Sequence, residues 1–154
     1  FYEIFSSCVL INRSCLKNKL KYTSKYLDSD ISYVDVVLGA FFVAKISAIR
    51  DIGYLCEDTF LYCEEQILSK MFADNNFKIA VLNKCSYIHD HKEADTYDGK
   101  LKSFVNHQKS KKVYLEKILG CNRFVMLLFS ICYGIGYIER FITWKLKKFI
   151  ITKR

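Results

Sequence analysis

Residues 34–62 read V-D-V-V-L-G-A-F-F-V-A-K-I-S-A-I-R-D-I-G-Y-L-C-E-D-T-F-L-Y and run straight into Cys63, Glu64 and Glu65. Residues 33–43 are almost continuously apolar and β-branched or aromatic, the pattern of a strand covered on both faces. Gly39 inside that run predicts a bulge, or a backbone that another group approaches closely. Residues 45–51 read as a short helix closed by Gly53 in the left-handed conformation. An aromatic loop leads to the two carboxylates, which open a second helix over 64–75. Ile67, Leu68, Met71 and Phe72 give that helix one apolar face, and Asp74-Asn75-Asn76 stops it. This order places carboxylate chemistry at the mouth of a sheet.

Outward from this stretch the alternation of strand and helix continues. Residues 1–12 read as an imperfectly alternating strand and 13–30 as a polar surface loop or short helix. Residues 77–82 and 85–88 read as short strands around an Asn-Lys turn, and 89–99 as a polar loop. Residues 100–119 form a lysine-rich helix broken by Gly120-Cys121-Asn122. The class is therefore α/β with a helical extension at the C-terminus. Residues 1–98 are expected to form the α/β part and 99–154 the basic helical extension.

The last 56 residues hold most of the positive charge. Residues 1–98 carry 11 Lys/Arg against 14 Asp/Glu, net −3, whereas 99–154 carry 13 Lys/Arg and only Glu116 and Glu139, net +11. A basic tail on a near-neutral body predicts an anionic partner. No recognisable nucleic-acid module is present, so nucleic acid is not expected. Residues 124–138 are uncharged, shorter than the ~20 apolar residues of a spanning helix, and Gly134 and Gly136 lower helix propensity. The mixture of Tyr133, Tyr137, Phe141, Trp144, Lys145, Lys147 and Lys148 suits a helix lying in an anionic membrane interface. A helix packed on the protein body is the alternative.

With 51% hydrophobic residues, 12 Phe and 11 Tyr, the chain has ample material for a core. Seven Cys form no C-x-x-C pair, which fits reduced thiols in a cytosolic setting better than disulfides or structural zinc. Phe1 falls inside an apolar run, as an interior cut in a longer protein would.

Few side chains are candidates for chemistry. Glu64 and Glu65 either stabilise the dipole of the helix they open or supply a general base beside a substrate hydroxyl, shielded by Phe60, Leu61 and Tyr62. His89 and His91, in Y-I-H-D-H, fall on one side of a continuing strand and could form part of a metal site. Asp28-Ser29-Asp30 spells Asp-x-Asp, a metal–nucleotide motif of many sugar transferases. Such a motif should end a buried apolar strand, and residues 23–27 are not one.

Taken together, V-D-V-V-L-G-A-F-F-V-A-K, I-G-Y-L-C-E-D-T-F-L-Y-C-E-E and Y-I-H resemble the second half of glycosyltransferase family 2, closest to bacterial rhamnosyl- and capsule-type transferases of the GT-A fold. The resemblance covers residues 33–91. It implies the C-terminal portion of a GT-A nucleotide-diphospho-sugar transferase, whose nucleotide-binding half precedes Phe1. It further implies inverting transfer of a sugar from a nucleotide-diphosphate donor to a hydroxyl of a glycan or lipid-linked acceptor in cell-surface polysaccharide synthesis.

By position, Asp35, Gly39 and Ala40 fall on the acceptor-side strand, Phe60 and Tyr62 on the loop, Glu65 on the catalytic base and Glu64 on its neighbour. His89, with His91 second, falls on the histidine that helps bind a divalent metal, Mg or Mn. Glu65 stands where the family usually has Asp. The location implied is the cytoplasmic, inner face of the cell membrane, and the chain alone is expected to be inactive. A non-catalytic membrane-surface protein and a decayed remnant of a transferase are the other readings.

Overall fold

The computed structural model describes residues 2–8, 22–23, 25–90 and 96–152. Two compact units divide the chain, one formed by 21–91 and the other by the N-terminal helix together with the helices from 92 onward. The N-terminal segment joins the helical unit because Ile4 and Cys8 are buried among Leu115, Phe129 and Cys132.

In the first unit, strands β1 (Ile31–Val34) and β2 (Ile79–Leu82) pair antiparallel, with Ile31 opposite Leu82 and Val34 opposite Ile79. Asn83 fixes the far end of this ribbon. Its backbone N–H donates to the Asp30 carbonyl (3.0 Å), and its amide donates to the Ser29 carbonyl (2.7 Å) and the Ser32 hydroxyl (2.8 Å). Asp30 itself forms an exposed ion pair with Lys84, so the Asp-x-Asp acid serves the turn.

Helix α2 (Ile46–Asp51) closes with two backbone bonds, Gly53 N–H to Arg50 O (3.0 Å) and Tyr54 N–H to Ile49 O (2.9 Å), with Gly53 at φ +82°. This is the Schellman arrangement that the glycine predicts. Helix α3 (Glu64–Asp74) ends the same way with Asn76 in the left-handed role. Asn76 N–H donates to Ala73 O (3.1 Å) and Phe77 N–H to Phe72 O (2.9 Å). The rings of Phe72 and Phe77 then meet edge to face, 5.9 Å apart, the apolar contact that accompanies such caps. Ala48, Ile52 and Phe72 form the core between α2 and α3, flanked by Leu68, Met71 and Ile79.

Several expected strands are not there. β1 stops at Val34, and residues 36–45 are irregular, with Leu38 64% and Val43 87% exposed. The apolar run has no neighbouring strand among the described residues to pair with or cover it, and the Gly39 N–H donates to a side chain instead of a ladder. Residues 85–88 form no strand, for the same want of a partner. Tyr2–Phe5 is a helical turn, α1, where a strand is expected, because Ile4 packs into a helical core. The described residues are thus mostly helix with a small two-stranded sheet.

The second unit is built on α4 (Tyr97–Val113) and α5 (Arg123–Thr152). Thr96 caps α4 by accepting from Gly99 N–H (3.1 Å). A π-helical turn over Tyr114–Ile118 carries the chain to Gly120, at φ +59°. Asn122 then starts α5, its side-chain oxygen accepting from Val125 N–H (3.0 Å).

The two glycines do not interrupt α5, which runs for 30 residues. Gly136 is required by proximity: a Cβ there would lie 2.1 Å from the Ser7 carbonyl oxygen. The Arg140 guanidinium donates to that same carbonyl (2.6 Å) and stacks over the Phe104 ring at 4.0 Å. Burial pushes the Cys8 thiol up to about 11, so it is a packing group at neutral pH. The six described cysteines are free.

Candidate active site

The carboxylates at the start of α3 are set by an unusual turn. Tyr62 and Cys63 both adopt positive φ, +75° and +64°, immediately before Glu64. Neither is a glycine, so each costs roughly 1–2 kcal/mol of backbone energy. Burial of Cys63 and Ile67, 3% and 1% exposed, holds the turn in place, and Ile67 N–H donates to Cys63 O (2.9 Å) to begin the helix.

That geometry aims Glu65 at the glycine of the Gly-Ala break. Gly39 N–H donates to Glu65 Oε1 at 3.0 Å. A Cβ on residue 39 would lie 2.6 Å from Oε1 and 3.0 Å from Cγ, so the carboxylate lies directly against the bare glycine backbone. Charge-assisted bonds of this kind are short and directional. One carboxylate oxygen, Oε1, is thus held by the backbone. Glu64, its neighbour, is exposed and Glu65 is half-buried, so the two adjacent carboxylates have different surroundings.

Aromatic contacts bring the third segment into the same neighbourhood. Phe41, two residues beyond Gly39, lies against Tyr87 (ring centroids 5.7 Å), and Tyr87 lies against His89 (6.5 Å). The three sequence segments therefore meet through Gly39–Glu65 and through Phe41–Tyr87–His89. Asp35 is exposed at the end of β1 and is engaged with Tyr22: the phenol donates to Asp35 Oδ2 (2.7 Å) and accepts from the Asp35 N–H (2.8 Å). That bond to the carboxylate raises the Tyr22 pKa. Ala40 is exposed beside Gly39.

Other expectations need correction. Phe60 is 85% exposed and Tyr62 37% exposed, so neither is buried as a cover over Glu65. The contact seen at Glu65 is with the Gly39 backbone. His91 lies outside the described residues. Among the described residues no three His, Cys, Asp or Glu side chains gather to hold a metal ion, and His89 offers a single imidazole.

Tyr22, Phe41 and Tyr87 are further members of this neighbourhood. Alternation around Tyr87 could have signalled a side chain facing the site, whereas nothing in the polar segment around Tyr22 marks it. The paired left-handed residues carry no glycine or asparagine signal. No known family, curated protein or solved structure matches the chain.

Proposed function

We propose that residues 33–91 carry the acceptor side of an inverting glycosyltransferase of family 2, the portion of an α/β GT-A fold that follows the nucleotide-binding half. The observation that carries this reading is the Gly39 N–H to Glu65 Oε1 bond, which joins the Gly-Ala break to the second carboxylate of the Glu-Glu pair. A carboxylate anchored by one oxygen to a backbone N–H keeps the other for use as a base.

In the reaction, Glu65 Oε2 takes the proton of an acceptor hydroxyl as its oxygen attacks the anomeric carbon of the donor sugar. The bond from that carbon to the nucleoside diphosphate breaks on the opposite face, and the diphosphate leaves with the electron pair. Configuration inverts, and Glu65 ends protonated. Gly39 orients the base, and the exposed Phe60 and Tyr62 are available to stack on acceptor sugar rings. Asp35 and Ala40 belong to the acceptor wall of this reading. A divalent ion enters it through the resemblance alone, with His89 as the residue that would touch it when the donor is bound, and no step above depends on it. The acceptor is a glycan or lipid-linked sugar, and the location is the cytoplasmic face of the cell membrane.

The test is Glu65→Gln in the full-length protein. Transfer from a nucleotide-diphosphate sugar should fall by about 10²–10⁴-fold, with donor affinity nearly unchanged. Full turnover in the variant removes Glu65 from the role of base.

A further inference from the structure

The helical unit leaves one face of α5 bare. Phe124, Leu127, Ile131, Ile135, Ile138, Ile142 and Leu146 are each between 47% and 68% exposed. At 100° per residue all seven fall within an arc of about 100°, and they run along about 33 Å of helix. The opposite face is occupied: Phe129, Cys132 and Gly136 pack against Ile4, Ser7 and Leu115. An aromatic ladder, Phe129–Tyr133–Tyr137–Phe141, climbs from the packed face toward the bare one with ring centroids 6.4–6.5 Å apart.

We infer that this stripe is a membrane-docking surface. On this reading α5 lies in the plane of an anionic leaflet with the seven apolar side chains in the acyl boundary. This inference stands apart from the transferase reading.

Charge selects the occupant. Arg123 and Lys145 lie on one edge of the stripe on the helical wheel, Lys147 and Lys148 follow in sequence, and Glu139 is the sole acid of α5. An antiparallel second copy of α5 laid on the stripe would bring Arg123 against Lys145, whereas anionic headgroups neutralise both. Lys145 already reaches over the Phe141 ring at 5.1 Å, the posture of a side chain whose stem lies on apolar surface while its ammonium points to the interface.

The packed face decides orientation. Arg123–Leu146 is long and apolar enough to cross a membrane by length and composition. But α4 lies alongside it, with Tyr97 against Phe141 (6.4 Å) and Phe104 against Tyr133 (5.9 Å). Lys102, Lys109 and Lys112 of α4 are exposed. A spanning α5 would carry those lysines into hydrocarbon, which is strongly unfavourable. An in-plane α5 leaves them in water and buries only the bare stripe.

The experiment uses the purified chain with vesicles of phosphatidylcholine, alone or mixed with phosphatidylglycerol. Binding is expected to the anionic vesicles, weakened by salt and reversed by alkaline carbonate. The Ile131→Asp/Ile138→Asp variant should lose affinity by about tenfold or more while keeping its helical circular dichroism, since both positions are exposed. Unchanged vesicle binding in that variant overturns the assignment. So does a wild-type dimer that ignores vesicles and is dissolved by the same substitutions, which would make a second copy the occupant. Retention through carbonate would make α5 a span and overturn the in-plane orientation.

Discussion

Each unit of this protein contains a glycine pressed against an oxygen, and the two contacts do different work. Gly136 faces the Ser7 carbonyl, and the space a Cβ would take is filled by main chain at 2.1 Å. Gly39 faces the Glu65 carboxylate, and the space a Cβ would take is filled by a side chain at 2.6 Å. Main chain in a packed helical core cannot yield without moving a helix. A half-buried glutamate side chain on the first turn of α3 can swing away. The same lack of a side chain therefore secures packing in one unit and the aim of a charged group in the other.

Four substitutions separate these roles, and Glu65→Gln is the largest, since it removes the proposed base and leaves both glycine contacts in place. Next is Gly136→Ala. Better intrinsic helix propensity, worth about 1 kcal/mol, is outweighed by forced separation of α1 and α5. A net loss of about 1–3 kcal/mol should appear as a lower urea midpoint. Gly39→Ala should do the reverse. The urea midpoint should hold, while kcat for sugar transfer in the full-length protein falls about 10–100-fold through displacement of Glu65. A variant at 39 that unfolds the protein, or one at 136 that only slows transfer, breaks the comparison. The smallest effect is Asn122→Ala, which removes the oxygen that caps α5 and should cost about 1 kcal/mol in the urea titration with transfer intact.

What the sequence disclosed follows a physical division. Helices with local stop signals were legible: Gly53, Asn76 and Gly120 occupy left-handed positions at or just after helix ends, and the Ile67–Phe72 face of α3 is in the core. Local chemistry determines these features, so neighbouring residues announce them. The run at 33–43 misled because a strand needs a partner, and continuous apolarity says nothing about whether one is present. Within the site, Gly39 was marked as a place of close approach, and Glu65 is the group that approaches it. Its means of support was hidden. Phe60 and Tyr62 resemble a hydrophobic cover in one dimension, but both are exposed, and no residue type predicts the backbone turn at 62–63. Tyr22 was invisible because its partner, Asp35, lies thirteen residues on and is exposed.

That turn also bears on how the protein can be improved. Tyr62 and Cys63 hold dihedral angles that glycine adopts freely. Glycine at either position would relieve folded-state strain and loosen the unfolded chain as well, two effects of opposite sign. It would also release the hinge that points α3 at residue 39. Stability alone therefore leaves glycine close to neutral at these two adjacent codons, and it is the aim of Glu65, not the melting point, that keeps the larger side chains there.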